Sequence, residues 1–231
     1  MKTKLMLTAA IAATIAAHAG AQTFDLLFKP TKGMKAVYTL SFDIDGQPQP
    51  TIYQAKLTNE VVDVREDGTY LSAMSQAEHK AIIGGKVSQQ NGQVITAVTT
   101  YDKFGRPLAN GGDNATPASF RVANLTSFIA PKSEVKVGDE WTVAIKADKD
   151  LQTVDVTHVY KLLAIEVQGV KSVAVVEVSA VEGSGANPAT AKGKFWIDAA
   201  NGEMVKYEAA IGNMPTDDGG YFSGKVSIVK Q

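Results

Sequence analysis

The sequence predicts an all-β protein with a minor α component: two tandem antiparallel β repeats forming a curved sheet, half-barrel or barrel, joined by one short helix. Three observations predict it. Apolar and polar residues alternate with a period of two, as in Tyr38, Leu40, Phe42 and Ile44 against Thr39, Ser41 and Asp43. Asp-Gly and Asn-Gly pairs, the residues that hairpin turns prefer, punctuate these stretches at Asp45-Gly46, Asp67-Gly68, Asn91-Gly92 and Asn201-Gly202. A set of short signals also recurs in the same order in the two halves of the 231-residue chain.

Residues 1–21 read as a secretion signal. Lys2 and Lys4 precede an apolar run from Leu5 to Ala17, and Ala17-His18-Ala19 or Ala19-Gly20-Ala21 supplies small residues for cleavage near Ala19 or Ala21. The run is about thirteen residues, short of the roughly twenty that a spanning helix needs. The chain has no cysteine, which excludes disulfides, thiol nucleophiles, metal thiolates and a lipid-carrying cysteine. The expected location is a bacterial periplasm or the medium outside.

The first repeat covers residues 22–109. It starts at Gly33 with an aromatic strand through Tyr38, turns at Asp45-Gly46 with Pro48 and Pro50, and continues through Tyr53, Ala55 and Leu57. The apolar phase then moves to Val62 and Val64, which predicts a β-bulge near Asn59-Glu60 and a bent strand. Gly85-Lys86-Val87 and Asn91-Gly92-Gln93-Val94 close the repeat. The linker, residues 110–131, opens with a Gly/Asn/Pro loop from Asn110 to Pro117. Val122, Leu125, Phe128 and Ile129 then recur at helical spacing until Pro131, predicting a helix over residues 117–130, with an extended linker as the alternative. Its apolar face is expected to cover the mouth or concave side of the sheet.

The second repeat, residues 132–231, begins at Gly138-Asp139-Glu140-Trp141. Lys161-Leu162 and Glu166-Val167 echo Lys56-Leu57 and Glu60-Val61; Gly193-Lys194-Phe195 and Asn201-Gly202-Glu203-Met204 echo the earlier closing signals. Residues 153–168 and 171–181 read as long strands, and Val173, Ala174, Val175, Val176 and Val178 are apolar on both faces, so something besides the core must cover them. About five strands per repeat and superposable halves starting near Gly33 and Gly138 are expected. Trp141, placed where the first copy carries Tyr38, is expected in the core.

The residues argue against several functions. Loss of Lys2 and Lys4 makes a net charge of −1 more negative, so nothing attracts nucleic acid or anionic lipid. Of the two histidines beyond the signal, His79 adjoins Glu78, but strand neighbours point to opposite faces and cannot grip one ion. His158 lies in an alternating run and reads as a half-buried or rim residue. No Gly-x-Ser-x-Gly elbow occurs, and Ser133-Glu134-Val135-Lys136 and Ser227-Ile228-Val229-Lys230 match Ser-x-x-Lys outside any helix start. Asp139-Glu140 and Asp217-Asp218 flank turn glycines, and Asp43-Ile44-Asp45-Gly46 is half of a calcium loop without its closing glutamate. No catalytic residue, metal ligand set or cofactor is assigned. An integral outer-membrane barrel is excluded by polar outward positions such as Gln54, Lys56 and Thr58.

Gly138-Asp139-Glu140-Trp141, with Gly193-Lys194-Phe195-Trp196-Ile197-Asp198 and Asn201-Gly202, resembles a family of uncharacterised, signal-bearing, β-rich bacterial proteins with a Gly-Asp-x-Trp strand start. That resemblance implies no activity and no functional residue. More distantly, the long strands and the Trp-Asp-Gly hairpin are similar to the half-barrels of periplasmic lipoprotein carriers, which hold acyl chains on a concave face under short helices; the duplication departs from that pattern. The expected function is that of a non-enzymatic secreted or periplasmic protein whose partner is an apolar small molecule or an envelope protein. A carboxylate-dependent hydrolase and a structural or assembly protein are the alternatives.

Overall fold

The computed structural model describes residues 22–92, 94–112, 115–183 and 187–231. The expected signal, residue 93 of the Asn91-Gly92 turn and part of the Asn110–Pro117 loop lie outside the described residues. Twelve strands and one helix follow in chain order: β1 (Lys35–Ile44), β2 (Thr51–Val64), β3 (Tyr70–Ile83), β4 (Lys86–Asn91), β5 (Ile95–Tyr101), β6 (Pro107–Gly111), α1 (Pro117–Thr126), β7 (Glu140–Ile145), β8 (Val156–Gln168), β9 (Lys171–Glu182), β10 (Thr190–Asp198), β11 (Met204–Pro215) and β12 (Tyr221–Lys230).

All strands join one antiparallel sheet in the order β6-β5-β3-β2-β1-β12-β11-β10-β9-β8-β7, with β4 pairing β3 off this path. The sheet is curved like a half-barrel and is not closed. Six strands precede the helix and six follow it, one more on each side than the expected five. The first and last strands pair in the middle, while the edges, β6 and β7, are consecutive in the chain. Residues 115–139 therefore lie between the two edges in sequence, and α1 packs on β6 and on β8 to β11.

Alternation places the core. Directly opposed residues share a face, and one inner row runs Trp141, Tyr160, Val178, Gly193, Ala209, Val226, Phe42, Tyr53 across β7 to β2. The next runs Leu162, Val176, Phe195, Tyr207, Ile228, Leu40, Ala55. α1 lies against β8 to β11, and its Phe120, Asn124 and Leu125 are buried. On the outer face Val173 and Val175 are also buried, with Trp196 directly opposite Val175, so the strand is covered twice by the protein itself.

Three boundaries differ from the sequence expectation. The apolar phase holds through the buried Val61, and the register shifts between Val61 and Asp63, so the bulge lies at Val62 rather than at Asn59-Glu60. Strand β8 starts at Val156 rather than residue 153, because Thr153 N–H bonds Asp148 O (2.9 Å) and the Asp155 carboxylate takes Ala147 N–H (2.7 Å) in the preceding turn. The helix starts as expected, with a Thr116–Ser119 capping box and Pro117 in the first turn, but it ends at Thr126. Ser127 is extended, and residues 127–130 follow as an extended run whose backbone finds tertiary partners instead of helical ones.

Residues 22–34 form a strap with little regular structure. Phe24 bridges Val135, Leu26 is buried, Lys29 N–H bonds Asn201 O (2.9 Å) and Gly33 N–H bonds Val61 O (2.8 Å). Gly202, at φ 71°, admits this strap: a Cβ there would lie 2.2 Å from Leu27 O.

Candidate functional site

The residues singled out by sequence do not converge. His158 is completely buried, not half-buried or at a rim. Its Nε2–H donates to Asn124 O (2.7 Å), which leaves Nδ1 unprotonated, 3.1 Å from the Tyr160 hydroxyl. That hydroxyl donates to Ser127 O (2.9 Å) and accepts from Ile129 N–H (3.3 Å). Burial pushes the His158 pKa down to about 4, so the ring is neutral at pH 7 and clamps the end of α1 onto β8. Asp139 accepts from Lys136 N–H (3.0 Å) and Asp218 from Gly220 N–H (3.2 Å), so both brace turns. Ser227 and Lys230 lie on opposite faces of β12, and Lys230 pairs with Glu203 (2.6 Å). Among the described residues no three His, Asp or Glu side chains gather as a metal site.

Aromatic packing fills the β7–β11 half of the concavity. Phe128 meets Trp141, Tyr160 and Phe195 at centroid distances of 6.3, 5.7 and 5.5 Å, and Tyr207 stacks on Phe195 at 4.4 Å. Trp141 is half-buried rather than enclosed; it stacks on Tyr160 at 5.2 Å and donates Nε1–H to Ile129 O (3.0 Å). Since full burial of such a ring is worth about 3–5 kcal/mol, Trp141→Ala is expected to cost about 2 kcal/mol, read as a lower urea midpoint with an unchanged slope.

The other half of the inner face is only partly covered. Past β11 the two inner rows change from buried to half-buried at Val226, Phe42 and Tyr53, and at Ile228 and Leu40, although Ala55 is buried. Farther along, Met74 is 36% exposed, and Ile95 and Ala97 are half-buried. None of these side chains carries a charge. At the end of this strip the β2–β3 register skips, leaving Glu78 and His79 opposite Ala55. Glu78 adopts φ 54° and pairs with Lys56 on the outer face (3.5 Å). His79 turns inward, 7% exposed, with its Nδ1 hydrogen-bonded to the Tyr53 hydroxyl and its Nε2 enclosed without a partner.

A second concavity of about 740 Å³ lies between the β5–β6 turn and the free edge of β7, lined by Asp102, Phe104, Lys132, Glu134, Trp141 and Thr142 among others. Its charges are mixed, and Arg106, whose enclosed Nε makes no hydrogen bond, lines it too and is ion-paired with Asp102 (3.3 Å).

Fold and site thus define an open antiparallel half-barrel, plugged on one side by a helix and carrying an uncharged apolar strip on the other. No family model matches the chain, and no curated protein matches it. Among solved structures, the chain is similar to a protein of Bacteroides fragilis named as exported and as having a YmcC-like fold, with 12% identity over 90% of this chain and 98% of that one and a TM-score of 0.36. A protein of Parabacteroides distasonis named as a lipoprotein gives 13%, 91%, 98% and 0.36. The hypothetical lipoprotein YmcC of Escherichia coli gives 12%, 88%, 92% and 0.32. No residue role or activity carries over from likenesses at this level.

Proposed function

We propose that the protein is a non-enzymatic, exported binding protein that holds an apolar ligand along the inner face of β1, β2, β3 and β5. One observation carries this reading: the uncharged strip of Leu40, Phe42, Tyr53, Met74 and Ile95 is half-covered, whereas the facing half of the sheet is filled by α1, Phe128 and the strap. The signal-like residues 1–21 support the exported part of this reading. The non-enzymatic part rests on how the acidic turns use their oxygens, since Asp139 and Asp218 accept backbone N–H groups rather than face a common cleft.

Protein purified without detergent is expected to release an apolar molecule on organic extraction, detected by mass spectrometry. It is also expected to bind a neutral fluorescent probe, N-phenyl-1-naphthylamine, saturably and displaceably by a lipid. An empty extract together with non-saturable probe fluorescence would remove the reading.

A further inference from the structure

We propose that the Tyr53–His79 pair is the polar anchor of the inner-face strip and that it selects an acyl chain ending in a neutral carbonyl, an ester or an amide. This rests on the strip being a ligand site. Two unfavourable features coincide at the pair. Glu78 is held in the left-handed region that a residue with a Cβ disfavours, and an enclosed ring nitrogen of His79 has no partner. The first produces the second: the extra residue at Glu78 sends its own carboxylate out to Lys56 and turns His79 onto the inner face beside Tyr53. Strain and an unmade hydrogen bond in one place mark a group kept for something other than packing.

The chemistry of the pair defines what it recognises. A phenol is a stronger acid than a neutral imidazole N–H, so Tyr53 donates to Nδ1 and the ring proton sits on Nε2. The missing partner is therefore an acceptor. Tyr53 is half-buried in the same inner row as Phe42, which places the pair at the end of the strip; Nε2 itself is enclosed, so an acceptor reaches it only by displacing the side chains that cover it. Among the described residues no cation accompanies this donor: Lys56 is engaged by Glu78, and Lys80, opposite Gln54, belongs to the outer face. A carboxylate or phosphate set against one neutral donor and an apolar strip would lose far more hydration than it regains, whereas an ester or amide carbonyl needs one donor. The uncharged row of Phe42 and Leu40 then takes the chain.

The test displaces N-phenyl-1-naphthylamine from the protein with methyl laurate, laurate and dodecane. Methyl laurate is expected to bind about tenfold more tightly than dodecane, the value of one buried hydrogen bond, and more tightly than laurate. In His79→Phe, which keeps the ring volume, methyl laurate and dodecane are expected to compete within about twofold of each other. Independently of any variant, the Nε2–H resonance of His79 in the unaltered protein should shift with methyl laurate and stay fixed with dodecane. An ester preference retained in His79→Phe, laurate binding most tightly, or an unmoved resonance would overturn the proposal. Equal displacement by all three would overturn it while sparing the apolar site; displacement by none would remove both.

Discussion

Replacing Glu182 by alanine should destabilise the protein by about 3–5 kcal/mol, read as a fall in the urea midpoint at neutral pH. Its side chain is fully enclosed and takes three hydrogen bonds: Arg121 Nε (2.8 Å), Arg121 NH2 (2.7 Å) and Ala189 N–H (3.0 Å). The two-pronged pair is the main charged tie between α1 and the sheet, and its desolvation cost was already met on folding. Alanine leaves a guanidinium without its partner and an orphaned backbone donor. The Arg121 side chain keeps some contact with water, which places the effect toward the lower end of that range. Replacing both residues together by leucine should cost much less than Glu182→Ala, because no charge is then stranded. A Glu182→Ala protein as stable as the parent would show that the pair does not hold the helix.

Acidification should remove a comparable amount of stability through His158. In the unfolded chain its pKa is about 6.5, and in the folded protein burial holds it down to about 4. Between those values the unfolded state binds a proton that the folded state refuses. The stability is therefore complete above about pH 6.5 and declines as pH falls toward 4, a loss of about 3 kcal/mol. Carboxylates such as Asp155, whose pKa is lowered first by the Ala147 N–H bond, add their own loss only below the ordinary carboxylate range. Urea unfolding between pH 7.5 and 4.5, compared with His158→Gln, separates the two. The variant should start less stable and lose less on acidification; parallel curves would refute the assignment.

Much of this architecture was legible because strands facing one core must alternate. Tyr38, Leu40 and Phe42 fell on the inner face as their spacing required, and Thr116, Pro117 and Ser119 marked the helix start. The helix end was not legible, because Phe128 and Ile129 keep helical spacing while the aromatic cluster and the Trp141 and Tyr160 hydrogen bonds pull their backbone straight. The strap left no periodic trace, since residues 22–34 are fixed by contacts with Val135, Asn201 and Val61 from other parts of the chain. The Arg121–Glu182 tie left a faint one: Glu182 continues the inward phase of Val178 and Ala180, where an acid demands a buried cation. Alternation separated Glu78 from His79, but only the register skip explains why the imidazole lacks a partner.

The seam at the middle of the sheet sets the order in which the chain can assemble. β1 is made before every other strand of the sheet, yet its second neighbour is β12, and Gln231 Nε2 reaches Thr39 Oγ1 (3.0 Å) across 192 residues. Closing so large a loop is entropically slow, so the halves form hairpins early and unite late. Until the final strand emerges, β1 and β11 each present an open edge with apolar side chains on one face, the arrangement by which unfinished chains stick to one another. A nascent chain of this topology depends on being kept apart from its copies until the ten residues of β12 have been delivered.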